Sequence, residues 1–137
     1  MDTGIKVGDC MKTNLVTISE GASVFEAARS MRQEGVGCLL VENEERQPSA
    51  ILTDADIVRK CVAENRMKLA VKEIASKPLI AVDCNEDLSA AADLMGKKKV
   101  KRLVVTKGGK ICGIISQSDI VKISPSLYEL IAAKAGY

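Results

Sequence analysis

The chain has 137 residues, 47% of them apolar and 28% charged, with a formal net charge of +2; this balance excludes a disordered chain, and the charge is too small for a nucleic-acid binder working through its overall field. Histidine is absent, which removes Ser-His-Asp and Cys-His catalysis, histidine-held metals and the usual general base near neutral pH. The five cysteines, Cys10, Cys38, Cys61, Cys84 and Cys112, are odd in number and include no C-x-x-C pair, so buried thiols in a reducing compartment are expected rather than a disulfide framework or a zinc site.

From the N-terminus, Met1-Asp2-Thr3-Gly4 has neither the basic flank nor the apolar stretch of a signal peptide, and no apolar run approaches the roughly 18 residues of a membrane span. A cytoplasmic chain is expected. A short strand over Leu15 to Ile18 leads to a helix starting at Ser23, whose Val24, Ala27, Ala28 and Met31 follow the i, i+3, i+4, i+7 stripe of an amphipathic helix. Strands come next at Cys38 to Val41 and Ala50 to Leu52, a second helix begins at Thr53, and Glu64 to Ala70 forms a link. The same order then returns. A strand over Leu79 to Val82 precedes a helix from Asp87 carrying Leu88, Ala91, Ala92 and Met95. Strands over Arg102 to Thr106 and Ile111 to Ile115 are joined through Gly108-Gly109, which favours a tight hairpin, and another helix begins at Ser116. Ser124-Pro125-Ser126 opens a terminal helix through about Ala135, with Pro125 suited to its first turn.

A shift of 64 residues carries Val7, Leu15, Ala27, Met31, Val36 and Leu39 onto Val71, Leu79, Ala91, Met95, Val100 and Leu103 without a gap; beyond Val41 the shift becomes 63 and lays Thr53-Asp54-Ala55-Asp56 over Ser116-Gln117-Ser118-Asp119. The expected fold is therefore α/β (α+β): two β-α-β-β-α repeats, 1–66 and 67–124, packed about a pseudo-twofold axis, and a terminal helix over 125–137. Two repeats are too few for an open solenoid. A unit of about 60 residues buries little surface by itself, so the repeats are expected to share a core.

The doubled S/T-x-x-D is the most informative local pattern. A hydroxyl N-cap with an acid three residues on is a capping box, which satisfies orphan amides at a helix start. The same geometry offers amides and a hydroxyl to a phosphate and a carboxylate to the hydroxyls of a ribose, and both readings stay open at this level. The run Lys97-Lys98-Lys99-Val100-Lys101-Arg102 divides similarly: lysines in a last helical turn complement the helix dipole, whereas Lys101 and Arg102 enter a strand beside Leu103-Val104-Val105, where a charge needs a reason.

The repeat order, the apolar strand leading into S/T-x-x-D followed by Ile-Val, and the basic pair before Leu-Val-Val resemble CBS (cystathionine-β-synthase) domains, which occur in tandem as a Bateman module; the likeness spans about residues 7 to 123. The resemblance implies two clefts for adenosyl compounds, each taking its S/T-x-x-D from one repeat and its first- and second-strand residues from the other. One cleft would combine Thr53 and Asp56 with Leu79, Ile80, Val100, Lys101 and Arg102, with Asp56 on the ribose, Leu79 and Ile80 on the adenine, and Thr53, Lys101 and Arg102 facing phosphates. The other would combine Ser116 and Asp119 with Leu15, Val16, Val36, Gly37 and Cys38, and would lack the basic pair. The resemblance thus implies a non-catalytic sensor of AMP, ADP or ATP with no catalytic residue, catalytic cofactor or metal, whose regulated protein is another chain. A homodimer paired through its helices is expected, with Leu127, Leu130 and Ile131 among the apolar surface to be covered. The alternatives are an S-adenosylmethionine or NAD sensor, a structural dimerisation module, or a nucleic-acid-binding module using Lys97 to Arg102, against which stands the supply of two tyrosines and one phenylalanine for stacking.

Overall fold

The computed structural model describes residues 2–136, so the Met1 and Tyr137 ends of the 1–66 and 125–137 segments lie outside the described residues. The chain divides into two compact units, one formed by Leu15–Leu79 and the other by the residues up to Asn14 together with those from Ile80 onward.

In the first unit, β1 (Thr17–Ser19), β2 (Cys38–Glu42) and β3 (Pro48–Thr53) form a sheet in that order, with β1 parallel to β2 and β2 antiparallel to β3. A parallel neighbour needs a crossover. It is supplied by α1 (Val24–Glu34), which starts where the Ser23 hydroxyl accepts the Glu26 N–H at 3.0 Å and stops at Gly35, φ 66°. Val24, Ala27 and Met31 of α1 meet Leu39, Val41, Ala50 and Leu52, the alternate residues of β2 and β3, in one buried cluster. The helix opening at Thr53, α2 (Asp54–Asp56), runs on through Ile57–Val62 with its bonds widened to i→i+5, as in Ala63 N–H to the Val58 carbonyl at 2.9 Å, and lays Ile57 and Cys61 on the same cluster. A single-turn helix, α3 (Val71–Ile74), lies beyond the linking segment.

The second unit repeats this plan. β4 (Ala81–Asp83), β5 (Arg102–Lys107) and β6 (Lys110–Ser116) form its sheet, α4 (Leu88–Lys98) its crossover and α5 (Gln117–Ile123) its closing helix. Val7, Leu88, Ala91, Ala92, Met95, Leu103, Val105, Ile115 and Ile120 are buried together. Each sheet covers one face with its own helices, and a cluster of these side chains forms in each unit. Leu40, Ile51, Val104 and Ile114, on the alternate positions of the strands, are buried as well.

The compact units also cut across the sequence repeats. The segment before β1 hydrogen-bonds to the second unit: Val7 N–H donates to the Glu86 carbonyl at 2.9 Å, Leu88 N–H to Ile5 at 2.8 Å, and Lys12 exchanges both backbone bonds with Ile114 at 2.9 Å. In the first unit the equivalent strap is the segment before β4, where Val71 N–H donates to Ala22 at 2.9 Å, Val24 N–H to Leu69 at 3.1 Å, and Ser76 pairs with Ile51. The N-terminal strap is anchored further on Asp87, the N-cap of α4, whose carboxylate accepts the Thr3 N–H at 3.0 Å, the Gly4 N–H at 2.9 Å and the Ser89 N–H at 2.8 Å. These donors, the Thr3 backbone N–H foremost, hold the Asp87 carboxyl far below the usual carboxylate range.

The terminal helix α6 (Ser126–Ala135) has no counterpart in the first unit. It packs closely on α4 at Gly96, where an added Cβ would meet the Lys134 side chain and stand 3.0 Å from the Ile131 carbonyl. Asp93 of α4 pairs with Lys97 at 2.9 Å and Lys134 at 3.3 Å, and the hydrogen bond from Lys97 leads in lowering its pKa. Leu127 and Ile131 are fully buried in the core of the second unit. They are therefore not surface awaiting a partner, because α4 already covers them. The large apolar side chains left exposed are Phe25, Val58, Val62 and Met67 in the first unit and Ile123 and Tyr128 in the second. Among the described residues no disulfide is formed, no metal-ligating cluster occurs, and no helix is long and apolar enough to cross a membrane.

Lys99 closes α4 in the left-handed conformation, φ 55°, at the position that Gly35 fills in α1. A side chain costs about 1 kcal/mol there, so Lys99→Gly should raise stability by about that amount in urea unfolding. Acid tests the Asp87 anchor. Its lowered carboxyl makes the unfolded chain the better proton acceptor as pH falls through the ordinary carboxylate range near about 4. The anchor's contribution is complete above that range and lost toward the depressed folded value. Unfolding midpoints measured from about pH 6 to about pH 2.5 should fall less steeply for Asp87→Asn than for the unsubstituted chain.

Candidate functional site

Both S/T-x-x-D segments form full capping boxes. Thr53 Oγ1 accepts the Asp56 N–H at 3.1 Å while Asp56 Oδ2 accepts the Thr53 N–H at 3.0 Å, and Ser116 and Asp119 make the same pair at 3.1 and 2.9 Å. Capping uses only one carboxylate oxygen. The other, Oδ1, faces a lysine in each unit: Lys60 at 3.0 Å from Asp56 and Lys12 at 3.6 Å from Asp119. Asp119 is the buried charged residue among those described, 7% exposed. A buried carboxylate is retained at a cost unless donors surround it, and here the Ser116 N–H and the Lys12 ammonium do so.

The strands set what stands beside each hydroxyl. Thr53 ends β3 opposite Cys38, and Ser116 ends β6 opposite Arg102. The residue before each β2-type strand donates its carbonyl to the helix start, Gly37 to the Asp54 N–H at 2.9 Å and Lys101 to the Gln117 N–H at 2.8 Å. In the second unit this produces a cavity of about 330 Å³ lined by Lys101, Arg102, Ser116, Gln117, Ser118, Val121 and Tyr128. Its size lies at the small end of ligand cavities. Two cations meet the hydroxyls of Ser116 and Ser118, which stand 3.0 Å apart, so the wall favours an anion, with Val121 and Tyr128 as its apolar side.

The other sequence-predicted residues divide between the two units. Val16 and Val36 are half-buried against the core of the first unit, and Ile80 and Val100 against that of the second. Leu15 and Leu79 are half-buried, and both lie just before their strands, which begin two residues later than expected. Lys101 and Arg102, assigned by resemblance to the cleft of Thr53 and Asp56, lie beside Ser116 within the second unit. Lys97 is tied to Asp93 and belongs to the helix surface. Sequence reasoning passed over Lys60, whose i, i+4 spacing from Asp56 was available, and over Lys12, Ser118, Val121 and Tyr128. Lys12 lies 107 positions from Asp119, and no local pattern links them. Burial raises the Cys10 thiol, so it stays protonated near neutral pH.

Comparison with known proteins agrees with this architecture. The CBS domain pattern matches residues 7–63 and again 71–126. An uncharacterized protein of Methanopyrus kandleri is 32% identical over 126 residues, 90% of this chain and 64% of that protein; this chain thus spans somewhat under two thirds of that relative. Among solved structures, a conserved protein of Pyrococcus horikoshii superposes with a TM-score of 0.82 at 28% identity, covering 90% of this chain and 95% of that one. A hexameric CBS-CP12 protein from bloom-forming cyanobacteria gives 0.79 at 32% identity, covering 85% and 66%.

The strap that brings Lys12 to Asp119 requires a glycine. A Cβ on Gly113 of β6 would stand 2.8 Å from the Lys12 carbonyl and 2.6 Å from Met11 Sδ. Gly113→Ala should therefore cost about 1–3 kcal/mol, with amide exchange rising first in residues 10–14, as hydrogen-exchange mass spectrometry would show.

Proposed function

This chain belongs to the CBS domain family in both of its repeats, and from that premise we propose that it is a regulatory module that binds an adenine nucleotide, AMP, ADP or ATP, and signals its level to a partner chain. The observation that carries the proposal is the convergence of Lys101, Arg102, Ser116 and Ser118 on one cavity at the start of the helix whose first turn holds the buried Asp119. Arg pairs bidentately with phosphate and the hydroxyls add donors, while Asp119 Oδ1 can accept from a ribose. The Thr53–Asp56 box is a second such acceptor. The cross-repeat pairing that the family pattern implies gives Leu79, Ile80, Val100, Lys101 and Arg102 to Thr53 and Asp56, and Leu15, Val16, Val36, Gly37 and Cys38 to Ser116 and Asp119; it is kept in this proposal except for Lys101 and Arg102, which are assigned to Ser116 because they line the cavity beside it.

The module is proposed to be non-catalytic, because the chain lacks histidine, the usual general base near neutral pH, and cytoplasmic, because five free cysteines fit a reducing compartment. Self-association is proposed through the apolar residues left exposed, Phe25, Val58, Val62 and Met67, and the cyanobacterial relative is itself hexameric.

The test is calorimetric titration of AMP, ADP, ATP, S-adenosylmethionine and NAD, beside mass spectrometry of small molecules released on denaturing the purified protein. An adenine nucleotide should bind. Asp119→Asn and Asp56→Asn should each weaken their own site by on the order of tenfold to a hundredfold while costing about 1 kcal/mol or less as lost capping. Arg102→Ala should weaken nucleotides and spare adenosine. Equal affinities for all variants would leave helix capping as the sufficient explanation of both boxes, and no binding at millimolar concentration would refute nucleotide sensing.

A further inference from the structure

The two capping boxes share a backbone and differ in what flanks them. Ile51 and Ile114 each lie two residues before the capping hydroxyl, and each pairs outward with its strap: Ile51 with Ser76, Ile114 with Lys12. On the inner side of the same strand, Thr53 is opposite Cys38 and Ser116 is opposite Arg102. Cations therefore flank the Ser116 box on both sides, while the Thr53 box has small neutral residues at the same two places.

The lysines facing the carboxylates also come from unmatched positions. Lys60 reaches Asp56 from one turn along the same helix, at 3.0 Å, and the corresponding residue after Asp119 is Ile123. Lys12 comes from the strap. Its backbone is fixed by both hydrogen bonds to Ile114, but its side chain is 70% exposed and its ammonium stands 3.6 Å from Asp119 Oδ1. That separation is longer than a hydrogen bond. Such a pair balances the carboxylate's charge and is readily given up. Ribose hydroxyls can then take Oδ1 while the ammonium, on its flexible stem, turns to the next anion.

We propose that Lys12 is a specificity-determining residue of the Ser116–Asp119 box, which with Arg102 selects nucleoside di- and triphosphates, leaving the Thr53–Asp56 box for adenosyl ligands with one phosphate or none. The inference rests on the nucleotide-binding reading above. Its test is calorimetric titration of adenosine, AMP and ATP into the full chain carrying Asp56→Asn, with and without Lys12→Ser, at low and high salt. Lys12→Ser should weaken ATP by about fivefold, AMP by about twofold and adenosine not at all, the scale of one exposed charge pair, and the ATP effect should shrink as salt screens it. The reciprocal Ser76→Lys change in an Asp119→Asn chain should raise the ratio of ATP to adenosine affinity several-fold. An equal loss for all three ligands on Lys12→Ser, no loss at all, or an unmoved ratio on Ser76→Lys overturns the proposal with nucleotide binding intact. A wild-type chain that binds no adenosyl compound overturns both.

Discussion

The backbone pairing between each sheet and the strap that precedes the other repeat's first strand governs the rest of the structure. In the second unit, bonds from Val7, Leu88 and the Lys12–Ile114 pair add an outer partner to β6, bury Val7 in the core and tie the start of the chain to α4. Each such bond is worth only about 1 kcal/mol net. Their effect comes from number and placement, since the strap also satisfies the Leu88 amide at the start of α4 and brings Lys12 within reach of Asp119. Gly113 permits this close approach, as any side chain there would occupy the path of Met11 and Lys12.

Under the nucleotide-binding proposal, one group of residues in each capping box serves stability and recognition together. One oxygen of Asp56 and of Asp119 is committed to the backbone amide of the cap residue, which orients the carboxylate and leaves the second oxygen pointing at a lysine. A helix start thereby becomes a preorganised acceptor, because the rotamer is fixed before any ligand arrives. The two interpretations of S/T-x-x-D do not compete for the same atom.

Repetition of the backbone does not extend to the chemistry. Gly35 and Lys99 hold the same left-handed position, Cys38 and Arg102 the same strand start, Ser76 and Lys12 the same place on the strap. In each pair the second unit carries the cation. It also carries α6, whose Tyr128 lines the cavity beside Arg102 and Ser116, so a ligand there would touch a helix that the first unit lacks.

Much of this was readable from residue order, since it depends on neighbours. The stripes of α1 and α4 come from Val24, Ala27, Met31 and Leu88, Ala91, Met95, and the helix starts at Ser23, Thr53, Asp87 and Ser116 each carry a side chain able to accept an amide hydrogen within three residues. The 64-residue shift exposed the repeat and hence the fold. Single turns such as Val7–Asp9 and α3 were not legible, being too short to show a period. β1 and β4 begin later than their apolar runs because strand pairing starts only where Thr17 and Ala81 find partners on β2 and β5. The strap's allegiance, the burial of Leu127 and Ile131 under α4, and the meeting of Lys12 with Asp119 belong to the tertiary structure alone. They join residues far apart in the chain, and only the packing of a sheet's outer edge and a helix's inner face determines which distant residue arrives.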